Sequence, residues 1–150
     1  RGSRVLAGAV YAPAMKELYT AVLNGPARLN GSRIRVSGVR RLAHAMVLTG
    51  LDKHVDSRLR PFGIFENISD NVQKSRILGS AALDLCLVAC GRADGYFESG
   101  IYIWDVAAAG LIVQRAGGKA EILKRQGNNR LCFVASNGRV HSALKKLIPL

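Results

Sequence analysis

Glu98-Ser-Gly-Ile-Tyr-Ile-Trp-Asp105-Val-Ala-Ala-Ala-Gly110, closing at Arg115-Ala-Gly-Gly118, is the stretch on which the fold of this chain turns. It sets two carboxylates near the start of an otherwise apolar helix. The pattern predicts a helix over Trp104 to Ala116, with Gly117-Gly118 as its C-terminal stop. Asp105 follows Trp104 where that helix begins, a position that suits a metal ligand facing a polar cleft. By itself, an Asp in a first helical turn is as readily a cap or a dipole partner, worth about 0.3–1 kcal/mol. Glu98 is expected to end a brief strand, Gly95 to Glu98. There it is either a solvated carboxylate or an acceptor for substrate hydroxyls.

Working upstream, Lys74 to Leu78 reads as a short strand that stops at Gly79. Ser80 is the expected N-cap of a helix running to about Cys90 and ended by Gly91. That helix is apolar on nearly every side, so it should be buried all round. Gly79-Ser80-Ala81 then joins a strand to a helix N-terminus. Such a junction exposes backbone N–H groups and tolerates close approach of a ligand. Ordinary strand-to-helix punctuation is the alternative.

Further out, Val5 to Ala12 and Leu18 to Leu23 are expected to pair as antiparallel strands, with turns at Asn24-Gly25-Pro26 and Leu29-Asn30-Gly31. Ile34-Arg-Val36 alternates like a strand. Residues 1–43 therefore read as part of an antiparallel sheet with one wet face. Residues 44–150 read as an α/β unit: a buried strand over Ala45 to Leu51, a helix over Phe65 to Val72, strands over Lys119 to Leu123 and Leu131 to Ala135 around Gly127-Asn-Asn129, and a last helix to about Leu147. Asp52 to Arg60 is polar and takes no assignment. The whole is one partial domain of layered α/β (α+β) class. The absence of an initiator Met leads us to expect that the chain starts inside a longer protein.

At 150 residues and 49% apolar composition, the chain is long enough for one domain with a real core. Only 10 residues are Asp or Glu, so a carboxylate-rich metal site cannot be built freely. The net charge of +12 fits a basic solvated surface, an anionic partner or steering of a phosphorylated substrate. The basic residues are spread and no aromatic residues interleave them, which disfavours nucleic acid as a partner. Cys86, Cys90 and Cys132 show no zinc spacing and read as small buried hydrophobes in a reducing compartment. No apolar run approaches the length of a membrane span.

With Leu78 to Glu98 before it, the Trp104-Asp105-Val-Ala-Ala segment and its closing Gly117-Gly118 resemble the C-terminal signature of the inositol monophosphatase family. Ala9-Val-Tyr-Ala-Pro13, Glu17-Leu-Tyr-Thr-Ala21, Leu29-Asn-Gly31 and Ile34-Arg-Val-Ser37 resemble its central antiparallel sheet. The resemblance implies alternating layers of helices and sheets, and a Mg2+-dependent, lithium-sensitive, cytoplasmic phosphomonoesterase, dimeric when complete. It implies that Asp105 ligates Mg2+, that Glu98 binds inositol hydroxyls, and that Gly79, Ser80 and Ala81 line the sugar-like ring. The family's first half also carries a metal-binding Glu, an Asp-Pro-x-Asp-Gly-Thr motif and the groups that activate water. None of these is found here: there is no Asp-Pro pair, and the one Asp-Gly, Asp94-Gly95, belongs to the C-terminal signature. The chain is thus expected to be the C-terminal part of such an enzyme, inactive alone, with no catalytic residue of its own and with a sheet left bare at an edge and an apolar face. A non-catalytic relic, binding anions or a partner, is the alternative.

Overall fold

Alternate residues of the first strands have opposite fates, and that alternation builds the first layer. The computed structural model describes residues 4–51 and 61–149. Strand β1 (Ala7–Ala12) turns through Pro13–Met15 and pairs antiparallel with β2 (Glu17–Val22). The short strands β3 (Arg28–Leu29) and β4 (Ser32–Arg33) complete a sheet in the order β1-β2-β3-β4. Gly8 lies opposite Ala21 and Val10 opposite Tyr19, and Tyr19 and Ala21 are buried. Tyr11 lies opposite Leu18 and Ala7 opposite Val22 on the other face, where Tyr11, Leu18 and Val22 are exposed. The expected exposed face is present, but it is apolar rather than wet in character. Ile34 to Val36 is not a strand. Ile34 N–H still donates to the Ala27 carbonyl just before β3, but Val36 N–H turns away and donates to the Ala116 carbonyl.

The second sheet has the order β6-β5-β7-β9-β8. Strand β5 (Met46–Thr49) runs parallel to β6 (Lys74–Arg76) and to β7 (Gly95–Tyr102). Strand β7 is antiparallel to β9 (Arg130–Ser136), which is antiparallel to β8 (Lys119–Gly127). Helix α1 (Pro61–Asn71) starts earlier than the sequence suggested. Helix α2 (Ala81–Ala89) is followed by α3 (Ile103–Arg115) and α4 (His141–Lys146). The Asp52 to Arg60 segment lies outside the described residues. No helix among the described residues is long and apolar enough to cross a membrane.

The central strands of the second sheet, β5, β7 and β9, bury both faces, so their inward residues divide between two cores. Leu48, Tyr96, Leu131, Phe133 and Ala135 pack with α2 and α3. Val47, Phe97, Cys132 and Val134 pack with Ile64 and Ile68 of α1 and Leu144 of α4. The α2/α3 layer also receives Tyr19 and Ala21 of the first sheet. The order of layers is therefore sheet, helix pair, sheet, helix pair. Small residues let α3 sit this tightly between sheets: a Cβ on Gly8 would come within 2.7 Å of the Ala108 carbonyl oxygen. As expected for α2, none of its residues is exposed.

Polar side chains fix the segment between the sheets. Asp94 accepts hydrogen bonds from Ser37 Oγ and, at 2.7 Å, from Met46 N–H. Asn137 Nδ2 donates to Ser37 Oγ and to the Val39 carbonyl. Both are buried, and their bonds anchor a loop whose own backbone forms no sheet. Among the described residues the cysteines are free, and Cys86 and Cys132 are buried. Burial pushes the Cys86 thiol up to about 12 and the Cys132 thiol up to about 11, so neither is a reactive thiolate.

Candidate active site

The end of β7 runs directly into α3, and this junction carries the site. Glu98 lies within β7, not at its end as expected, because the strand continues through a bulge between Ser99 and Ile101 to Tyr102. Bulges re-aim side chains at the rims of sheets. Ile103 opens α3, so Asp105 falls in its first turn. Its Oδ2 accepts the Tyr102 N–H at 3.3 Å. Asp105 therefore caps its own helix while its carboxylate lies half-buried at a cavity wall.

That cavity, of about 460 Å3, is lined by Gly79, Ser80, Ala81, Glu98 and Asp105 together with Gly50, Leu51, Ile77, Ala82, Asp84 and Ile101. All five residues singled out in the sequence thus meet at one place. Gly79 has a φ of 86°, which only glycine adopts without strain, and it makes the turn that brings the start of α2 to the cavity. Ser80 occupies the N-cap position, but its side chain makes no capping hydrogen bond, contrary to expectation. Gly50 serves by lacking a side chain: a Cβ there would come within 2.3 Å of the Glu98 carboxylate. Thus β5 ends against the group that β7 presents.

Asp84 was not among the expected site residues. It sits in the first turn of α2, is 1% exposed, and its Oδ1 has no hydrogen-bond partner. Burial, and then the nearby Glu98 carboxylate, push its carboxyl up to about 7. The phenol of Tyr96, wholly buried, donates to Glu98 Oε2. Its pKa is strongly raised, first by burial, then by Glu98, with Asp84 and Asp105 adding to the effect. One signal was available in the sequence: Asp84 is the lone charge in the apolar run Ala81 to Ala89.

Among the described residues, three carboxylates line this wall and no Lys, Arg or His joins them. The oxygen-only donor set has the chemistry of a hard cation such as Mg2+. Among the described residues no three His, Cys, Asp or Glu come together to hold a metal ion. Asp105 fits as one ligand of a shell that needs more.

Another constellation resembles a catalytic triad but is structural. Ser136 Oγ lies 2.9 Å from His141 Nδ1, and His141 Nε2 lies 3.2 Å from Glu121 Oε2. Ser136 is wholly buried, and its Oγ already accepts the Gly138 N–H. With no exposed nucleophile, the array fastens α4 to β8 and β9.

With this arrangement in view, comparison with known proteins is direct. The model of the inositol monophosphatase family matches residues 2–149. The chain belongs to the inositol monophosphatase family. It is 46% identical over 117 residues to the Nus factor SuhB of Pasteurella multocida, covering 77% of this chain and 43% of that protein. It is 41% identical over 120 residues to an inositol monophosphatase of Dictyostelium discoideum, covering 76% of this chain and 43% of that protein. Among solved structures, the extragenic suppressor protein suhB of Bartonella henselae superposes with a TM-score of 0.87 at 33% identity, over 97% of this chain and 57% of that one. The inositol monophosphatase of Anabaena (Nostoc) superposes with a TM-score of 0.84 at 34% identity, over 96% of this chain and 60% of that one. The family's layered α/β fold is therefore present over nearly the whole chain. The chain spans about half the length of the curated relatives it matches.

Proposed function

We propose that this chain forms the substrate-recognition side of a Mg2+-dependent phosphomonoesterase that hydrolyses inositol monophosphate or a similar small sugar or polyol phosphate. The observation that carries the reading is the meeting of Gly79, Ser80, Ala81, Glu98 and Asp105 around one cavity in a chain of this family. Glu98 accepts substrate hydroxyls. Gly79, Ser80 and Ala81 border the polyol ring, where missing or small side chains leave room. Asp105 holds one coordination position of the metal. When bound, Mg2+ polarises the phosphate and lowers the pKa of the attacking water. The complete enzyme is a lithium-sensitive, cytoplasmic homodimer, and residues 1–43 and 44–150 act in it as parts of one domain.

The chain alone is inactive in this reading, because the further metal-binding carboxylates and the water-activating groups are not among its residues. The test is phosphate release from inositol 1-phosphate with Mg2+, comparing the chain with its Asp105→Asn variant and with a longer protein carrying the family's first half. The expected result is no release by the chain above its variant, and release by the longer protein that Asp105→Asn abolishes. Release by the chain itself, lost with Asp105→Asn and with lithium, would overturn its incompleteness. No release by either form would leave the alternative, a non-catalytic module that binds an anion or a partner.

A further inference from the structure

The one buried side-chain polar atom left without a partner among the described residues is Asp84 Oδ1, and it lies at the candidate active site. Native folds rarely leave such an acceptor unpaired, and each case calls for a physical reason. The fold does not need this carboxyl for capping, since Asp84 lies inside α2 and its own N–H already bonds to the Ser80 carbonyl at 2.8 Å. The Asp84 charge is felt by the wholly buried Tyr96 phenol, whose pKa burial raises and this charge raises further. What distinguishes the position is its neighbours: Glu98 and Asp84 border the same cavity, with Ile77 and Ile101 beside them.

We infer that Asp84 is a specificity-determining residue that accepts a hydrogen bond from a ligand hydroxyl beside the one bound by Glu98, so that the pocket recognises a pair of adjacent hydroxyls. This rests on the reading of Glu98 as a hydroxyl acceptor and extends it. The terminal torsion of Asp is broad, so a modest rotation brings a carboxylate oxygen of this lining residue to a bound hydroxyl. A ligand with two neighbouring hydroxyls then places one on Glu98 and the other on Asp84. One with a single hydroxyl leaves a buried acceptor unpaired, which is the stronger basis for rejecting an analogue. The raised pKa of Asp84 agrees with a carboxyl that lacks a donor in the free protein.

The test titrates myo-inositol, and cyclohexanol as the single-hydroxyl probe, into the isotope-labelled chain, following backbone amide shifts of residues 79–84 and 98. Thermal melting is measured on the same samples. Asp84→Leu is expected to weaken myo-inositol binding about tenfold while raising the melting temperature. Asp84→Asn, which keeps an acceptor oxygen, should bind within a few-fold of the parent. Cyclohexanol affinity should be the same in all three. A purely structural Asp84 would move the melting temperature and leave myo-inositol binding unchanged, and that result overturns the inference while sparing the role of Glu98. Equal loss of both probes overturns it as well. Absence of myo-inositol binding by the parent chain overturns the hydroxyl reading of the pocket and this inference together. Should Asp84→Leu fail to fold, Asp84→Ala takes its place in the same comparison.

Discussion

The two sheets are built from similar strands, yet one is covered on both faces and the other on only one. In the five-stranded sheet, inward residues of both parities find helices: Phe133 meets the α2/α3 layer and Val134 meets α1 and α4. In the four-stranded sheet only one parity does. Tyr19 is buried at 1% exposure, whereas Tyr11, on the adjacent strand but the opposite face, is 58% exposed. The same residue type in the same sheet thus contributes very differently. The strand pattern predicts one wet face; that face is apolar, and only a neighbouring layer makes the other a core.

This contrast can be broken most directly by truncation. Phe133→Ala should cost about 3–5 kcal/mol in urea unfolding, the range for buried aromatic deletions. Tyr11→Ser should stay within about 0.5 kcal/mol of the parent. Comparable losses would mean that the outer face of the first sheet is covered in solution. A second change sharpens the point on the covered side of the same sheet. Gly8→Ala drives a methyl into the Ala108 backbone and should destabilise by about 1–3 kcal/mol, whereas Ala9→Gly on the outer face should cost less. A neutral Gly8→Ala would place β1 further from α3 than the structure has it.

A smaller effect depends on pH. Asp84 titrates near 7 in the folded chain, above its value of about 3.9 when unfolded. Between these values the unfolded chain binds fewer protons than the native one, so stability falls as pH rises from about 4 to about 7 and levels off above. Urea melts of the parent should carry this component, and those of Asp84→Leu should not. His141 acts in the opposite sense: burial lowers its pKa, so its contribution is present above about 6.5 and is lost as pH falls. The difference between parent and Asp84→Leu isolates the Asp84 component. The smallest change in stability is expected from the triple substitution Tyr11→Thr, Leu18→Lys and Val22→Thr on the bare face, which sets no like charges opposite each other. Unfolding free energy should hardly move, but light scattering should show less self-association than in the parent. Unchanged association would mean that another surface drives it.

How much of this was legible beforehand depends on whether the signal was local. The Gly79 turn, the helix after Ser80, the helix after Trp104 and the paired strands β1 and β2 all follow from residue chemistry within a few positions. The Ile34 to Val36 alternation misled because its partners are distant: Ala116 takes one backbone bond, and Ser37 just beyond is held by Asp94 and Asn137. Glu98 was placed at a strand end because nothing local announces a bulge between Ser99 and Ile101. Asp84 escaped for a related reason, since a single carboxylate in an apolar helix acquires meaning only from what faces it.

The sequence by itself determined the helices after Ser80 and around Trp104, the paired strands β1 and β2 and the carboxylates available at Glu98 and Asp105, because turn chemistry and periodicity act over short spans. Only the tertiary structure decided that Gly79, Asp84, Glu98 and Asp105 share one cavity, and that the first sheet keeps an uncovered side. Proximity across strands and helices is set by packing of whole layers, and no short-range pattern encodes it.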